Sequence, residues 1–491
     1  MMPSDDLSNS WDERVPNRRI ALASGGAILL ERDGFRIIES QGRKRSTIHP
    51  YESMTHVYAA DQMLLIGLKS GMLTIRNGRF RDPEAGPMEV RRLLLERLAD
   101  RPDGRHFLGE MDEVDRLGSR RSFSGVTWAT VLLCVLGTGF QLRDPLVEQV
   151  GAFVPDLFTR GEFWRAVTAH FLHGMPQLPF HLAVNVGGLA VLGHLVERPL
   201  GSWRMAVILA CGAAGTIVGI QFADQSTVIG ASGLVAALAG AILALELNYP
   251  ESLPVFWRLP RRLFVGVLIL QFVVIDRLLS SFVAGGAHFG GFTAGFLAAW
   301  FLGPPTLESI IPTGRVRMAV YGAMVALVLG VLGALPLIRH DMPALERHAS
   351  RLLNTPATLE LYPFENAAAW FIATEGGATL VGLDFAVALA DRAVASTGRM
   401  HPGILDTLAE ALFQRGDRLG AVLTIDEAIR LMPGESYFIE QRRRFTGERE
   451  NDDRPPPPGS APDGARAFDD DYQDDEFQTP PIDPDAPRMT I

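Results

Sequence analysis

Hydrophobic and polar positions form three successive patterns along the chain, and the first of them predicts strands. Near the N-terminus, short apolar runs alternate with Gly, Asp and Asn, which are typical of turns. The predicted strands are Ile20–Ala23, Ala27–Leu30, Phe35–Ile38, Met63–Leu68 and Met72–Ile75. Pro87 then opens a predicted helix whose apolar residues recur at helical spacing. Residues 17–101 are therefore predicted to form a small β-rich domain with a C-terminal helix.

The second pattern consists of seven long apolar segments within residues 124–340. They are Val126–Leu142, Leu178–Val196, Trp203–Phe222, Ser232–Leu247, Leu263–Phe282, His288–Phe301 and Arg317–Ile338. Several are shorter than the roughly 20 residues that a helix needs to cross the hydrocarbon core of a bilayer. Short helices are tolerated where protein surrounds their ends. The pattern predicts a polytopic α-helical membrane bundle in contact with the lipid bilayer.

The third pattern is helical and repeats itself between residues 343 and 445. Ala386 and Ala393 recur 35 residues later as Ala421 and Ala428. The period and the small-residue spacing resemble tetratricopeptide repeats, which bind peptides and proteins. We therefore expect this domain to offer a surface for protein partners. The N-terminal domain is similar to pleckstrin-homology-like folds, and the acidic, Pro-rich residues 447–491 are predicted to be disordered.

The distribution of charge predicts the orientation of the chain in the membrane and argues against nucleic-acid binding. The net charge of -10 comes largely from the C-terminal tail, and no basic face for nucleic acid is visible. Arginines occupy alternate connections between the apolar segments, apart from a few in the first outer loop. This bias predicts a cytoplasmic N-terminus, and seven spans then place the C-terminal repeats outside the cytoplasm, as in a multi-pass protein of a bacterial inner membrane.

The cysteines and the N-terminus argue against a disulfide-stabilised protein, a metalloprotein and a protein with a cleavable signal peptide. The two cysteines, Cys134 and Cys211, lie inside apolar segments, so neither a disulfide framework nor a cysteine-based metal site is expected. An HExxH zinc motif is absent from the sequence, and we expect no metal and no cofactor. The polar, acidic N-terminus predicts no cleavable signal peptide.

Polar residues within the apolar segments indicate the chemistry, because they are costly to place in a membrane. Ser232 lies in a Gly-Ala-Ser-Gly turn at the start of the fourth segment, and His288 lies at the start of the sixth. His181 and Asn185 share one face of the second. Each of these residues also has a purely structural interpretation. Ser232 would be a helix cap, His288 a histidine on a packing helix, and His181 with Asn185 an interhelical polar pair. Serine and histidine at two helix ends favour nucleophilic catalysis.

Together these motifs resemble the rhomboid intramembrane serine proteases. The resemblance rests on GASG, AHxxGxxxG and HxxxN in the expected order, on Glu162-Phe163-Trp164-Arg165 in the first outer loop, and on GHLVERPLGS after the second segment. It implies a rhomboid fold with a six-helix core and, here, a seventh span. One departure is the two-proline entry GMPQLPF before His181, which is longer than the family's spacing.

The resemblance also implies roles for individual residues. Ser232 would be the nucleophile and His288 its general base, in a dyad without an acidic third member. An oxyanion hole would come from His181, Asn185 and the Ser232 backbone N–H. The packing and loop residues around this site would be Gly230, Gly233, Gly291, Gly295, Trp164 and Arg165. Asp276 receives no role, and we expect it either to pair with Arg277 or to mark an offset helix.

The implied reaction is hydrolysis of peptide bonds in or near the transmembrane segments of membrane proteins. Two alternatives belong to other classes. One is a catalytically silent rhomboid-like scaffold that binds membrane proteins, although both the serine and the histidine are present. The other is a transporter, which Asp276 and the short helices would allow, but no inverted repeat is visible.

Overall fold

The structure is a computed structural model of the full chain, and it divides into two compact units, Met1–Leu335 and Pro336–Ile491. The residues it describes are 17–23, 25–39, 47–59, 62–120, 123–144, 146–174, 178–223, 227–253, 258–278, 284–303, 312–359, 361–449 and 453–455.

The N-terminal β-domain contains seven antiparallel strands in two sheets. One sheet joins β1 (Arg18–Ala21), β2 (Ala27–Leu30), β3 (Gly34–Ile38) and β4 (His49–Pro50), and the other joins β5 (Met54–Ala59), β6 (Met63–Leu68) and β7 (Gly71–Arg76). Helix α1 (Ala85–Ala99) packs its apolar face, Val90, Leu93, Leu94 and Leu98, into the same core as Ile28, Phe35 and Ile66. The predicted β-domain is confirmed, and each predicted strand overlaps an observed one, but β4 and β5 were not predicted and α1 begins two residues before Pro87. The pleckstrin-homology label stays a prediction.

The membrane part begins after α2 (Gly104–Arg120) with α3 (Gly125–Arg143). The connection between α3 and the next long helix then forms three short helices, α4 (Leu146–Gly151), α5 (Pro155–Thr159) and α6 (Arg165–Thr168). Two long apolar helices follow, α7 (Leu178–Leu200) and α8 (Ser202–Phe222). Their bounds agree with the second and third predicted segments to within a few residues.

The centre of the bundle is α9 (Ser232–Asn248), which is short because other helices surround it. Most of its side chains are buried, including Leu234, Leu238 and Leu245. It packs against α12 (Gly285–Phe301), α8 and α7. A helix enclosed in this way does not need the full length that lipid contact requires.

The fifth predicted segment is irregular. It consists of α10 (Arg261–Ile269), a π-helix (Leu270–Ile275) and the short α11 (Asp276–Leu278). The seventh segment forms α13 (Gly314–Ile338). Among the described residues, four helices are long and apolar enough to cross a membrane: Gly125–Arg143, Pro179–Leu200, Ser202–Phe222 and Gly314–Ile338.

In the described residues of the C-terminal unit, six helices follow the end of α13. They are α14 (Met342–Leu353), α15 (Tyr362–Thr374), α16 (Leu380–Ser396), α17 (Pro402–Arg415), α18 (Arg418–Leu431) and α19 (Ser436–Thr446). The repeated alanines Ala386, Ala393, Ala421 and Ala428 are fully buried, as repeat packing requires. The helical domain is thus observed, whereas its assignment to the tetratricopeptide repeats stays a prediction.

Some predictions fall on residues outside the described ranges. They are the acidic N-terminus up to residue 16, Arg121, residues 175–177 of the GMPQLPF entry, residues 224–226 and 280–283 of the two connections without a basic residue, the end of the fifth segment from residue 279, and residues 456–491 of the tail.

Candidate active site

Ser232 is the first residue of α9, and the turn before it is held in place by backbone hydrogen bonds. The Gly230 N–H donates to the Ala169 carbonyl at 2.9 Å, and Val228 exchanges backbone hydrogen bonds with Phe153. Gly230 has a φ of +122°, a conformation that L side chains rarely adopt. The Gly-Ala-Ser-Gly turn is therefore positioned by the connection between α3 and α7.

Gly230 also allows close approach to the polar face of α7. A Cβ on Gly230 would lie 2.7 Å from the His181 Nε2 atom and 3.9 Å from the Asn185 Nδ2 atom. Asn185 is buried and donates from Nδ2 to the His181 carbonyl at 2.9 Å. The His181 ring contacts the His173 ring edge-to-face, with centroids 5.1 Å apart. The structure thus brings the HxxxN face to the turn that precedes Ser232.

Helices α9 and α12 pack backbone to backbone through glycines. A Cβ on Gly291 would overlap the Gly233 carbonyl oxygen, and a Cβ on Gly295 would overlap that of Ala237. Gly233 itself faces Thr216 of α8, whose hydroxyl leaves no room for a side chain there. Because Gly233 follows Ser232 and Gly291 lies one turn beyond His288, the ends of the two helices that bear these residues are adjacent.

His288 is buried and its Nδ1 atom faces Asp276. The distance from Nδ1 is 3.1 Å to each carboxylate oxygen, Oδ1 and Oδ2. Gln271 donates from Nε2 to Asp276 Oδ1 at 2.8 Å. The expected pairing of Asp276 with Arg277 is wrong: the irregular winding of the fifth segment turns the carboxylate toward α12, while Arg277 is exposed.

Trp164 and Arg165 order the connection between α3 and α7. Arg165 is fully buried; its Nε donates to Glu162 Oε2, and its Nη1 donates to the carbonyls of Gln149 and Ala152, each at 2.7 Å. Trp164 Nε1 donates to the Val150 carbonyl at 3.0 Å. These bonds join α6 to α4 and to Glu162, which follows α5, because an arginine fork can satisfy several acceptors at once.

Glu197, from the GHLVERPLGS motif, joins the other end of α7 to the start of α3. Its carboxylate accepts from the backbone N–H groups of Val126 and Thr127 at 3.0 and 2.8 Å, and from the Ser202 hydroxyl at 2.6 Å. A carboxylate at a helix N-terminus satisfies unpaired donors and interacts favourably with the helix dipole.

Two polar features near the site were not assigned from the sequence. One is His173, which contacts His181 and accepts or donates at Nδ1 to Thr138 at 3.1 Å. The other is the Asp276–His288 contact. The only sequence signal for the Asp276–His288 contact was a carboxylate inside an apolar segment. That signal did not identify His288 as the partner of Asp276.

The central part of the chain is similar to known proteins. Residues 160–305 match the family model of the rhomboid domain. The chain is 32% identical over 211 residues to the rhomboid protease GluP of Bacillus subtilis, covering 41% of this chain and 38% of that protein. It is 29% identical over 164 residues to RHOMBOID-like protein 5 of Arabidopsis thaliana, covering 32% of this chain and 50% of the relative.

The fold and the comparisons agree on the central region. It is a bundle of apolar helices, as is typical of an integral membrane protein; its residues 160–305 match the rhomboid-domain model, and the proteins similar to it include ones named as rhomboid proteases. The chain spans half or less of the length of these two relatives. A third relative, rhomboid-like protease 3 of Toxoplasma gondii, is 22% identical over 227 residues, which is 44% of this chain and 82% of the relative.

Proposed function

We propose that this protein is a rhomboid-type intramembrane serine protease that uses Ser232 and His288. The observation that carries the proposal is the glycine-mediated contact of α9 with α12, which makes the serine-bearing and histidine-bearing ends neighbours. The His181 and Asn185 face lies against the same turn. A nucleophile, a base and oxyanion donors thus share one end of the bundle, as acyl transfer requires.

The proposed reaction has two halves. Ser232 Oγ attacks the substrate carbonyl carbon while His288 Nε2 accepts the hydroxyl proton. Donors from His181, Asn185 and the Ser232 backbone N–H stabilise the resulting oxyanion. His288 returns the proton to the leaving amine, and an acyl-enzyme remains. Water, activated in turn by His288, then hydrolyses the ester and restores Ser232.

The substrate class follows from the location of the site. A peptide bond within a transmembrane helix is protected by its own hydrogen bonds, so the helix must unwind before the carbonyl reaches Ser232. We therefore propose transmembrane protein substrates with Gly, Ala or other helix-weakening residues near the cut. The C-terminal helical unit would bind protein partners outside the membrane.

The test is cleavage of a model transmembrane substrate by the full-length protein in detergent or liposomes. Cleavage by the wild type should be lost in Ser232→Ala and His288→Ala, and kept in Ser252→Ala, a serine near the opposite end of α9. Equal cleavage by wild type and Ser232→Ala would exclude the proposal. Labelling of the wild type but not Ser232→Ala by a fluorophosphonate would distinguish a protease from a silent scaffold.

Orientation in the membrane is a separate proposal. The β-domain contacts the end of α9 opposite Ser232, through Arg258 and the β6 strand. A cytoplasmic N-terminus would then place Ser232 toward the outer face, and a seventh span would place the C-terminal unit there too. A reporter fused after Phe445 should respond as an extracytoplasmic one; a cytoplasmic response would contradict this topology.

A further inference from the structure

The fifth membrane segment presents one carboxylate to the histidine of the site. Asp276 is buried, with 7% of its surface exposed, and both of its oxygens lie 3.1 Å from His288 Nδ1. A buried carboxylate is costly unless its oxygens are hydrogen-bonded. Here the His288 imidazole and the Gln271 amide supply those hydrogen bonds. The Asp276–His288 contact is therefore buried and hydrogen-bonded, unlike a surface ion pair.

The π-helix explains why this carboxylate and its amide partner lie on the same side. In an α-helix, residues five apart point about 140° away from each other. Leu270–Ile275 is wound with i→i+5 hydrogen bonds, which brings residues five apart closer to one face. Gln271 and Asp276 therefore meet, with a 2.8 Å bond between them. Such irregular turns are frequent at functional sites.

Resting on the proposed function, we propose that Asp276 is a positioning residue for His288. A carboxylate is only an acceptor, so it requires the proton of a neutral imidazole to be on Nδ1. Nε2 is then unprotonated and available to accept the proton of Ser232. The negative charge also stabilises the imidazolium that forms during attack. The serine and histidine would thus act with an acidic third group, and Gln271 would hold that group in place.

Cleavage kinetics of full-length variants test this role. Asp276→Asn keeps the shape and removes the charge, and should lower kcat by about 10²- to 10⁴-fold while KM changes by less than about twofold. Asp276→Glu should recover part of kcat. The matched control is Arg277→Gln, which alters the adjacent, exposed charge and should cleave as the wild type does.

A second measurement does not depend on cleavage. In ¹⁵N NMR spectra of the full-length protein, the His288 signal, identified by its loss in His288→Gln, should report an Nδ1-protonated neutral ring. Asp276→Ala should redistribute the proton between the two nitrogens. Failure of the wild type to cleave would count against the proposed protease, whereas an unchanged His288 tautomer in Asp276→Ala would overturn the positioning role.

The kinetic outcomes also separate the two proposals. If the wild type cleaves and Ser232→Ala does not, then wild-type kcat in Asp276→Asn would overturn the positioning role alone. A rise in KM at unchanged kcat would overturn it too, because that result means lost substrate binding. If Asp276→Asn does not fold, the comparison of Asp276→Glu with Arg277→Gln decides: kcat equal in these two would contradict a position-sensitive carboxylate.

Discussion

Glu246 and Arg258 form a buried ion pair at the end of α9 that lies opposite Ser232. Arg258 Nε lies 3.5 Å from Glu246 Oε2, and both side chains are almost fully enclosed. Arg258 also donates from Nη1 to the Leu68 carbonyl of β6 at 2.9 Å and to the Thr55 hydroxyl of β5 at 3.3 Å. The same guanidinium therefore contacts the central helix of the bundle and the β-domain.

Removing one member of this pair should destabilise the protein. Arg258→Met removes the enclosed partner of Glu246 and leaves its carboxylate with the partly exposed Arg261, 3.7 Å away, and with the Leu259 N–H. The loss should therefore be smaller than the roughly 3–5 kcal/mol that results when a buried charge loses every partner. We expect a lower apparent melting temperature in detergent, and faster protease cleavage between the β-domain and α3. Arg262→Met, an exposed neighbour, is the control.

The double variant distinguishes the pair from simple packing. Replacing both groups, as in Glu246→Leu with Arg258→Met, also removes the carboxylate that the single variant leaves with only Arg261 and the Leu259 N–H. The double variant should therefore destabilise less than the sum of the single changes. Strictly additive losses would show that the two side chains contribute independently and that their contact carries no coupling energy.

Arg165 should not tolerate lysine. A lysine at this buried position cannot donate to Glu162 and to the Gln149 and Ala152 carbonyls with the fixed geometry of a guanidinium. We expect Arg165→Lys to lower the unfolding free energy by about 2–4 kcal/mol, because buried donors and acceptors lose their partners. It should also reduce cleavage, because the connection that Arg165 orders includes Ala169, whose carbonyl accepts a hydrogen bond from the Gly230 N–H.

Thermal unfolding and cleavage, measured together, check the Arg165 prediction. Arg160→Lys is the matched control, since Arg160 is exposed in the same connection. A fully stable and active Arg165→Lys would mean that a point charge suffices at this position, contrary to the carbonyl network.

Gly295 should be intolerant of even a methyl group. An added Cβ would overlap the Ala237 carbonyl oxygen, which belongs to backbone and cannot move aside as a flexible side chain could. Forcing the helices apart should cost about 1–3 kcal/mol and should reduce cleavage by separating the two ends of the site. Melting temperature and cleavage rate of Gly295→Ala are the measurements.

Gly139→Ala in α3 should leave the stability of the protein unchanged or raise it slightly. Nothing lies within 4 Å of a Cβ at Gly139, and alanine favours the helix by about 0.5–1 kcal/mol over glycine. Unchanged or slightly raised stability there, beside a loss in Gly295→Ala, would attribute the loss to the α9–α12 contact. Equal behaviour of the two variants would contradict it.

The sequence predicted those parts of the site whose signals are local. Gly291 and Gly295 lie four residues apart on one helix face, so close packing of α12 was readable from spacing alone. His181 and Asn185 share a face by the same periodicity. The strands β2 and β6 were found with their observed bounds because alternation and turn residues are also local properties.

The partner of Asp276 was not readable, since it depends on non-local geometry. A regular α-helix through the fifth segment would direct Gln271 and Asp276 apart, and the π-helix that changes this leaves no clear sequence signal. Likewise, β5 and Arg258 meet only because the β-domain contacts the bundle, and no periodicity reports on contacts between residues about 200 positions apart.

The C-terminal unit should become less stable as pH rises from about 4 to about 7. Asp406 lies in its core, where burial and the nearby Glu410 raise the pKa of its carboxyl from 3.8 to about 7, against hydrogen bonds from Gln441 and Tyr437. In this window the folded state binds more protons than the unfolded state, so the unfolding free energy falls as pH increases. The stabilisation is fully present below about pH 4 and is lost near pH 7.

Asp406→Asn should flatten that dependence, because an amide stays neutral at every pH. The measurement is amide hydrogen exchange of α17 in the full-length protein between pH 5 and 8, corrected for intrinsic rates. Burial raises the pKa of Glu365 as well, so the difference between wild type and variant isolates Asp406. Asp384→Asn, at an exposed carboxylate, should keep the wild-type slope. The same slope in Asp406→Asn would show that Asp406 does not titrate in this window.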